Sequence, residues 1–289
     1  MKIIEIFEFI ESHLGDELNI ELVAKKAGFS NHHFQRLFAA SAGVSLGTYI
    51  RRRRLTKAAE RLKESADRII EIALESGFDS QEAFTRSFKS MFAATPKDYR
   101  DNHSYSQMRG MGAITQKFLE HIKYDGVNLT PEFIIKPEKI LVGMKKKFAR
   151  SGEGISELWG IFNSRIESIS NKKGAGVNGR FATYGACEEI WIENKIQDEF
   201  YYMAAIEVDQ INDAITDLAT IKIPETKFAV FCHNGSLRDF SESVKYVWNI
   251  WLPESGLELG PMSDIEYYSS DFNPDSPKTK IEIWIPIAN

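Results

Sequence analysis

The sequence predicts a two-domain protein, in which an all-α double helix-turn-helix domain precedes an α+β domain of two βαββ units with an antiparallel sheet. A unit of helical segments occurs twice in the first third of the chain, at a period of about 50 residues. A basic stretch joins the two copies. From Leu129 onward the apolar residues alternate in several segments and follow helical spacing in others, which is typical of an α+β domain.

The repeat is visible when the two copies are aligned. Three residues recur at an offset of 49 and four more at an offset of 50, with one inserted residue near Gln81. Each copy is predicted to form two helices around a glycine turn, which is a helix-turn-helix. The matched residues are Ala24, Gly28, Phe29, Phe34, Arg36, Phe38 and Tyr49 in the first copy and Ala73, Gly77, Phe78, Phe84, Arg86, Phe88 and Tyr99 in the second.

The stretch that joins the copies, residues 50–62, is predicted to be a basic helix. Its apolar residues recur at helical spacing, and we expect its basic residues on the opposite face, along a phosphate backbone. The helix would fix the separation of the two units. The apolar stripe is Leu55, Ala58, Ala59 and Leu62, and the basic face is Arg53, Arg54, Lys57 and Arg61.

The second helix of each copy has a polar outer face. Arginine can bond bidentately to guanine and glutamine to adenine, so such a face suits the major groove. An ordinary solvated face is the alternative for one isolated helix. The doubling favours DNA, because two helices on one body can enter successive grooves about 34 Å apart. The outward residues are His32, Gln35, Arg36 and Ala39 in the first copy and Glu82, Thr85, Arg86 and Lys89 in the second, with Gln81 on the flank.

The segments GFSNHHFQRLF, TYIRRRRLTKAAERL and IALESGFDSQEAFTRSFKSMFAATPKDYR resemble the AraC family of bacterial transcription regulators, of the MarA/Rob type, over about residues 3–100. The resemblance implies base contacts from His32, Gln35, Arg36, Gln81, Thr85 and Arg86. His32 stands where that subgroup often has Trp. The candidates for phosphate contact, which positions a domain without reading sequence, are Arg53, Arg54, Lys57, Lys89 and Arg100.

The expected domain boundaries are 1–104 for the DNA-binding domain, 105–128 for a linker with a short helix at QKFLEHI, and 129–289 for the α+β domain. The net charge of −5 conceals an asymmetry, since residues 1–103 hold 16 basic and 15 acidic residues. The basic residues of this part are concentrated at 51–61. Local clustering is therefore the electrostatic sign of a nucleic-acid partner here, rather than the total charge.

The last predicted strand, residues 281–287, alternates strictly. Four isoleucines would face the helices, and Glu282 and Trp284 would lie on the other face. A carboxylate beside an indole can hold an organic cation through charge and cation–π attraction. The alternative is an exposed Glu next to a Trp that packs against a loop.

This half resembles the GyrI-like effector-binding domain, through PEKILVGM, the two βαββ units and EIWIPI. The resemblance implies a ligand-binding glutamate on the final strand, at Glu282, or alternatively a domain that acts through a protein partner. Rival acids are Glu266 and Glu189. The expected aromatic walls are Trp284, Tyr202, Phe148, Trp191 and Tyr267.

Other chemistry is weakly supported. The sequence has no phosphate loop, no CxxC and no HExxH, so we expect no metal, no cofactor and no enzymatic activity. The alternative is a small-molecule-binding or hydrolytic GyrI-like protein in which DNA binding is secondary, and in the hydrolytic case Glu282 would act as a base. The expected partners are double-stranded DNA, a small cationic or aromatic effector and, as a further candidate, RNA polymerase. No apolar run reaches the ~18 residues of a membrane span. Two cysteines suggest the reducing cytoplasm.

Overall fold

The computed structural model describes residues 2–101, 110–149, 152–174, 179–192, 195–211 and 217–288, with side chains described in these ranges except at 189, 191–192 and 195–198. The chain divides into two compact units. The first is Met1–Tyr124 with Lys245–Ser255, and the second is Asp125–Val244 with Gly256–Asn289. Segment 245–255 is expected from the sequence to belong to the α+β domain, but it clusters with the helical unit.

The first unit contains the repeat as two helix-turn-helix motifs, α2–α3 and α5–α6. Its helices are α1 (Ile3–Ser12), α2 (Ile20–Ala27), α3 (Asn31–Ala42), α4 (Leu46–Glu64), α5 (Ile69–Glu75), α6 (Gln81–Phe92), α7 (Pro96–Asp101) and α8 (Gln116–Lys123). The turn residues Gly28 and Gly77 have φ of 80° and 74°, a region that glycine enters without strain. Behind each turn a Phe amide donates to an Ala carbonyl, at 3.0 Å in the first motif and 3.1 Å in the second.

Helix α4 belongs to the cores of both motifs. Near its start, the ring of Tyr49 lies 5.7 Å from that of Phe38 in α3. In the matching place, Phe88 of α6 lies 5.2 Å from Tyr99 of α7. The second half of α4 contributes its apolar residues Leu55, Ala58, Ala59 and Leu62 to the cluster around Phe84 and Phe88. The helix is longer than the predicted 50–62, because Ser45 caps it with a hydrogen bond from the Thr48 amide.

The second unit is an α+β domain. Its elements are β1 (Glu132–Lys136), β2 (Lys139–Ala149), α9 (Ile155–Arg165), β3 (Thr183–Ile192), β4 (Lys195–Val208), β5 (Ala219–Ile223), β6 (Thr226–Gly235), α10 (Phe240–Tyr246), β7 (Asp264–Tyr268) and β8 (Thr279–Pro286). Between α10 and β7 the chain forms a single π turn and α11 (Leu252–Ser255), which both lie in the segment that belongs to the first unit. Within the described residues, eight strands form one antiparallel sheet in the order β1-β6-β8-β7-β3-β4-β2-β5.

The two predicted βαββ units are present in this sheet and meet at β3 and β7. Each is preceded by a strand that pairs with the other unit, β1 with β6 and β5 with β2. Two residues separate β1 from β2, although the strands stand six places apart. Six strand spacings would be about 28 Å in a flat sheet, and three residue steps span about 11 Å. The sheet must therefore curl until its ends approach.

The curl gives the sheet two unlike faces. The face that we call the helix face packs against α9, where Leu158 and Phe162 meet Ala204 of β4. The face that we call the inner face is one apolar cluster drawn from strands at both ends of the sheet, including Ile134 of β1 and Ile223 of β5. In the part of the chain that the structure describes, no helix is long and apolar enough to cross a membrane.

Candidate functional site

The outer faces of α3 and α6 are open to solvent. Ser30 and Ser80 cap the two helices by accepting hydrogen bonds from backbone amides. Phe34 and Phe84 anchor them in the core, fully buried. Of the predicted base-contact residues, Thr85 is partly exposed, and the exposed ones are His32, Gln35, Arg36, Gln81 and Arg86.

The predicted phosphate contacts include a correction at Arg53. This side chain is 6% exposed and points toward α1. Its guanidinium donates to both carboxylate oxygens of Glu11, at 2.8 and 2.9 Å, and to the carbonyl of Met111. Arg53 is thus a buried structural residue, because α1 covers the side of α4 from which it projects.

Two other arginines of the predicted set also have partners within the protein. Arg54 donates to the carbonyls of Leu14 and Asp16 at 2.7 and 2.6 Å. Arg100 donates to the carbonyl of Asp67 at 2.6 Å. Lys57 and Lys89 are exposed, as is Arg51 at the start of the basic stretch. The exposed cations near the recognition helices are therefore fewer than the sequence suggests.

The predicted ligand residues whose side chains the structure describes divide between two faces of the sheet. Cross-strand pairing places Tyr267 opposite Glu282, on the inner face with Trp284. Tyr202 and Phe148 belong to the cluster under α9, on the helix face. The side chains of Trp191 and of the rival acid Glu189 lie outside the described residues. The set divides because strand alternation fixes which residues of one strand share a face, but not the face that a distant strand presents.

On the inner face, the Glu282 carboxylate accepts a hydrogen bond from Trp284 Nε1 at 2.6 Å. The Trp284 ring stacks on Tyr267, with ring centroids 5.3 Å apart. A lysine of this chain, Lys136, approaches the same carboxylate at 3.5 Å. The expected carboxylate and indole are adjacent, and an internal cation accompanies them.

On the helix face, the rival acid Glu266 lies among aromatic side chains. Its Oε2 accepts hydrogen bonds from the hydroxyls of Tyr202 and Tyr268, at 2.6 and 2.8 Å. Trp159 of α9 donates to the Tyr202 hydroxyl at 3.0 Å, and its ring lies 5.2 Å from that of Tyr268. Gly185 makes room for this contact, since a Cβ there would lie 2.2 Å from the Tyr202 hydroxyl.

The surroundings of Glu266 affect its ionisation. Burial raises the pKa of this carboxyl above its usual range, and the two tyrosine hydroxyls offset only part of that effect. The residue is nevertheless partly accessible to solvent. Among the described residues, no lysine or arginine pairs with it. Glu266 is thus a largely enclosed acid that has no countercharge among the described residues.

Other chemical sites are not apparent in the described ranges. No group of three or more His, Cys, Asp and Glu side chains is placed there to hold a metal ion. Cys187 and Cys232 are not joined in a disulfide. The features of the described residues that can bind a partner are therefore the two recognition helices and the acid–aromatic clusters around Glu266 and Glu282.

Comparison with known proteins accounts for both halves. A helix-turn-helix domain model matches residues 23–102, and a GyrI-like small molecule binding domain model matches residues 129–288. The right origin-binding protein of Escherichia coli (strain K12) is 29% identical over 270 residues, which are 91% of this chain and 89% of that protein. Transcriptional regulator Rob of Salmonella typhimurium is 28% identical over 293 residues, 98% of this chain and 96% of that protein.

A third relative matches the first half alone. Multiple antibiotic resistance protein MarA of Salmonella typhimurium is 41% identical over 106 residues, which are 37% of this chain and 84% of that protein. The doubled helix-turn-helix and the curled antiparallel sheet agree with these matches. The chain therefore belongs to the AraC family of DNA-binding transcription regulators, of the MarA/Rob type, and carries a GyrI-like domain after its helix-turn-helix domain.

Proposed function

We propose that this regulator reads duplex DNA with α3 and α6, and that its α+β unit senses a small organic cation with an aromatic part. The observation that carries the sensing proposal is Glu266, a carboxyl enclosed by aromatic rings without a described countercharge. The exposed donor groups on α3 and α6 support the DNA-reading proposal.

The two recognition helices supply matched arginines for base contact. Arg36 and Arg86 are exposed at equivalent positions of the repeat, each two residues from a fully buried phenylalanine that faces the core and fixes the helix. Gln35 and His32 lie beside the first arginine, and Thr85 precedes the second. Lys57 and Lys89 are the phosphate contacts that we retain, because their side chains are exposed.

A selection from random duplex DNA, followed by binding measurements at moderate salt, tests the DNA proposal. We expect Arg36→Ala and Arg86→Ala each to weaken binding by roughly 1–3 kcal/mol, each at its own half of the selected site. Arg180→Ala removes an exposed arginine of the α+β unit and serves as the matched control. If no sequence is enriched, or if both variants lose affinity equally at both halves, the assignment fails.

The sensing proposal depends on charge. Burial disfavours the ionised form of the Glu266 carboxyl and thereby raises its pKa. A bound cation would stabilise the ionised form, and the rings of Tyr202, Tyr268 and Trp159 would offer cation–π contacts. A neutral ligand of the same shape would gain the apolar contact only. An organic cation is therefore the ligand class that this site favours.

Benzyltrimethylammonium and its neutral isostere neopentylbenzene test this preference by calorimetry on the full chain. We expect Glu266→Gln to reduce affinity for the cation by about tenfold or more and to leave the isostere unaffected. Cation affinity should rise with pH through the raised pKa of Glu266, because binding needs the ionised form, and the glutamine variant should lose this dependence. Glu258→Gln, at an exposed position of the same unit, is the control for the loss of an acid. Equal binding of cation and isostere would overturn the proposal.

We propose that the regulator binds its effector without changing it chemically. We also propose that it acts in the cytoplasm, where the DNA is. The alternative hydrolytic role for Glu282 finds less support, because that carboxylate is held by Trp284 Nε1 and by Lys136. The test compound is an ester of an alcohol that carries a benzylammonium group. We expect this ester to be recovered unchanged after long incubation with the protein. Its hydrolysis at a rate that Glu282→Gln abolishes would favour the enzyme instead.

A further inference from the structure

The strand β1 has one side without a strand partner in the part of the chain that the structure describes. Lys136 of β1 lies opposite Thr226 of β6, and Lys139 of β2 lies opposite Ile223 of β5, so β1 and β2 run along one continuous pair of strands. On the other side of this pair, β4 joins β2 only from Ile140 onward. The backbone of β1 therefore forms an open edge beyond the end of β4.

This edge strand exposes large apolar side chains. Phe133 and Ile135 are 52% and 64% exposed. Because alternate residues of a strand share a face, the two form one apolar row, and Ile134 between them packs into the inner-face cluster. Edge strands of natural proteins are usually protected by charged residues, by proline or by a bulge. The two positions of this row carry no such protection.

The opposite edge of the sheet provides a contrast. It is formed by β5, whose exposed residues are Thr220 and Lys222. A lysine on the exposed face of an edge strand is a common protection against pairing with another chain, because pairing would bury its charge. The two edge strands have equal lengths of five residues, but their exposed faces differ in chemistry. Of the two edges, β1 is therefore the one suited to accept a further strand.

The sequence of β1 is complementary to itself when it is read in opposite directions. Antiparallel pairing with a second copy, centred on Ile134, places Glu132 opposite Lys136 of that copy, and two-fold symmetry forms the reverse pair as well. On the other face, Phe133 comes opposite Ile135 of the second copy. Pairs of opposite charge and pairs of an aromatic with a β-branched residue both stabilise neighbouring strands. Charge and apolar surface thus match in the same register.

The two charged residues are available for such a pair. Glu132 is exposed, and the Lys136 side chain is 22% exposed. Lys136 Nζ lies 3.5 Å from Glu282 within its own chain, which is longer than a good charge-assisted hydrogen bond of about 2.7–2.9 Å. A second carboxylate opposite Lys136 would therefore add to a weak contact rather than replace a strong one.

We propose that β1 is an interface between two copies of this chain, which pair antiparallel through a two-fold contact centred on Ile134. The strand offers five residues from each copy, whereas a stable interface has roughly 20–30 residues a side. The dimer is therefore weak and forms as the protein concentration rises. The contact uses neither Glu266 nor the recognition helices, so it does not depend on the DNA-reading and sensing proposals.

Sedimentation equilibrium of the full chain, from about 1 μM to about 1 mM, measures the dimer across the range of weak complexes. We expect Phe133→Lys to raise the dissociation constant of the dimer by about tenfold or more, because the two-fold axis introduces two charges into the apolar row. Ile161→Lys places the same charge at an exposed apolar position of α9, and it should leave the constant unchanged. A wild-type protein that stays monomeric throughout would overturn the proposal, as would a dimer that Phe133→Lys does not weaken.

Charge reversal tests the register. Glu132→Lys alone places lysine opposite lysine at both ends of the contact, and Lys136→Glu alone places acid opposite acid, so each variant should be monomeric. An equal mixture of the two should form a heterodimer, since every charge then meets its opposite. A mixture that stays monomeric, or a dimer of either variant alone, would overturn the proposal. Urea denaturation checks that each variant is folded, and Phe133→Lys decides the outcome if Lys136→Glu is not.

Discussion

Arg53 and Lys57 are one helical turn apart on α4, and their surroundings differ completely. The Arg53 guanidinium lies against Glu11 of α1, with hydrogen bonds of 2.8 and 2.9 Å, whereas Lys57 is exposed. A basic residue can thus serve the fold or the DNA, according to what packs on its side of the helix. The helical spacing of the sequence places Arg53 and Lys57 on the same face of α4. It cannot separate them, because it contains no information about where α1 packs.

Substituting these two residues separates their roles. We expect Arg53→Gln to lower the free energy of unfolding by about 2–4 kcal/mol, since it removes the charged partner of the largely buried Glu11 carboxylate and leaves the Tyr49 hydroxyl as its donor. Lys57→Gln should change stability by less than about 0.5 kcal/mol and reduce the salt dependence of DNA binding by roughly one counterion. Urea denaturation and salt titration measure the two quantities. The opposite pattern, in which Arg53→Gln changes only the salt slope, would place Arg53 at the DNA.

The acids of the α+β unit show the same limit of sequence reasoning. Alternation in β8 correctly places Glu282 beside Trp284, because that relation is local. It cannot reveal that the ammonium group of Lys136, 146 positions earlier, lies 3.5 Å from the Glu282 carboxylate and 4.2 Å from the centroid of the Trp284 ring. Nor can it show that Tyr202 and Tyr268 meet at Glu266, since this depends on the pairing of β4, β3 and β7. Local patterns predict neighbours within an element, and contacts between elements require the fold.

At the scale of elements, the repeat is the feature that the sequence predicts best. Its matched aromatic residues occupy equivalent places, with Tyr49 on Phe38 in one motif and Tyr99 on Phe88 in the other. The exchange of β1 and β5 between the βαββ units is not predictable from patterns, because either edge of the sheet would satisfy their alternation. Two-residue connections then force the curl, which creates the inner face.

Helix α4 is the element on which the geometry of DNA reading depends. Ala58→Pro removes the hydrogen bond from residue 58 to the carbonyl of Arg54 and introduces a steric clash, at a cost of about 3 kcal/mol or more. Because α4 packs in both cores, we expect binding to the full selected site to fall further than with Arg36→Ala or Arg86→Ala alone. Ala58→Gly, which costs only about 1 kcal/mol, is the control in a gel-shift titration. Full binding by the proline variant would show that the motifs need no rigid connection.

At the scale of the whole molecule, the order of the chain and its division into units do not coincide. The helical unit includes Lys245–Ser255, a segment that lies within the span of the GyrI-like domain match. In that unit, Glu254 pairs with Arg52 of α4 at 2.8 Å. Ile250 is 6% exposed and packs on Gly43, where a Cβ would lie 2.6 Å from the isoleucine methyl. The helical unit is thus completed by residues from the second half of the sequence.

This arrangement predicts an effect of Ile250 on one half of the DNA site. Gly43 ends α3 with a φ of 71°, so the isoleucine rests on the turn that fixes the first recognition helix. Ile250→Ala should cost about 2–4 kcal/mol of stability through the cavity that it leaves. Because that cavity borders α3 and not α6, footprinting should show weaker protection at the half-site of Arg36 and unchanged protection at that of Arg86. Ile161→Ala, at an exposed position of α9, controls for the loss of an isoleucine. Equal loss at both half-sites would mean that the variant acts through general unfolding rather than through α3.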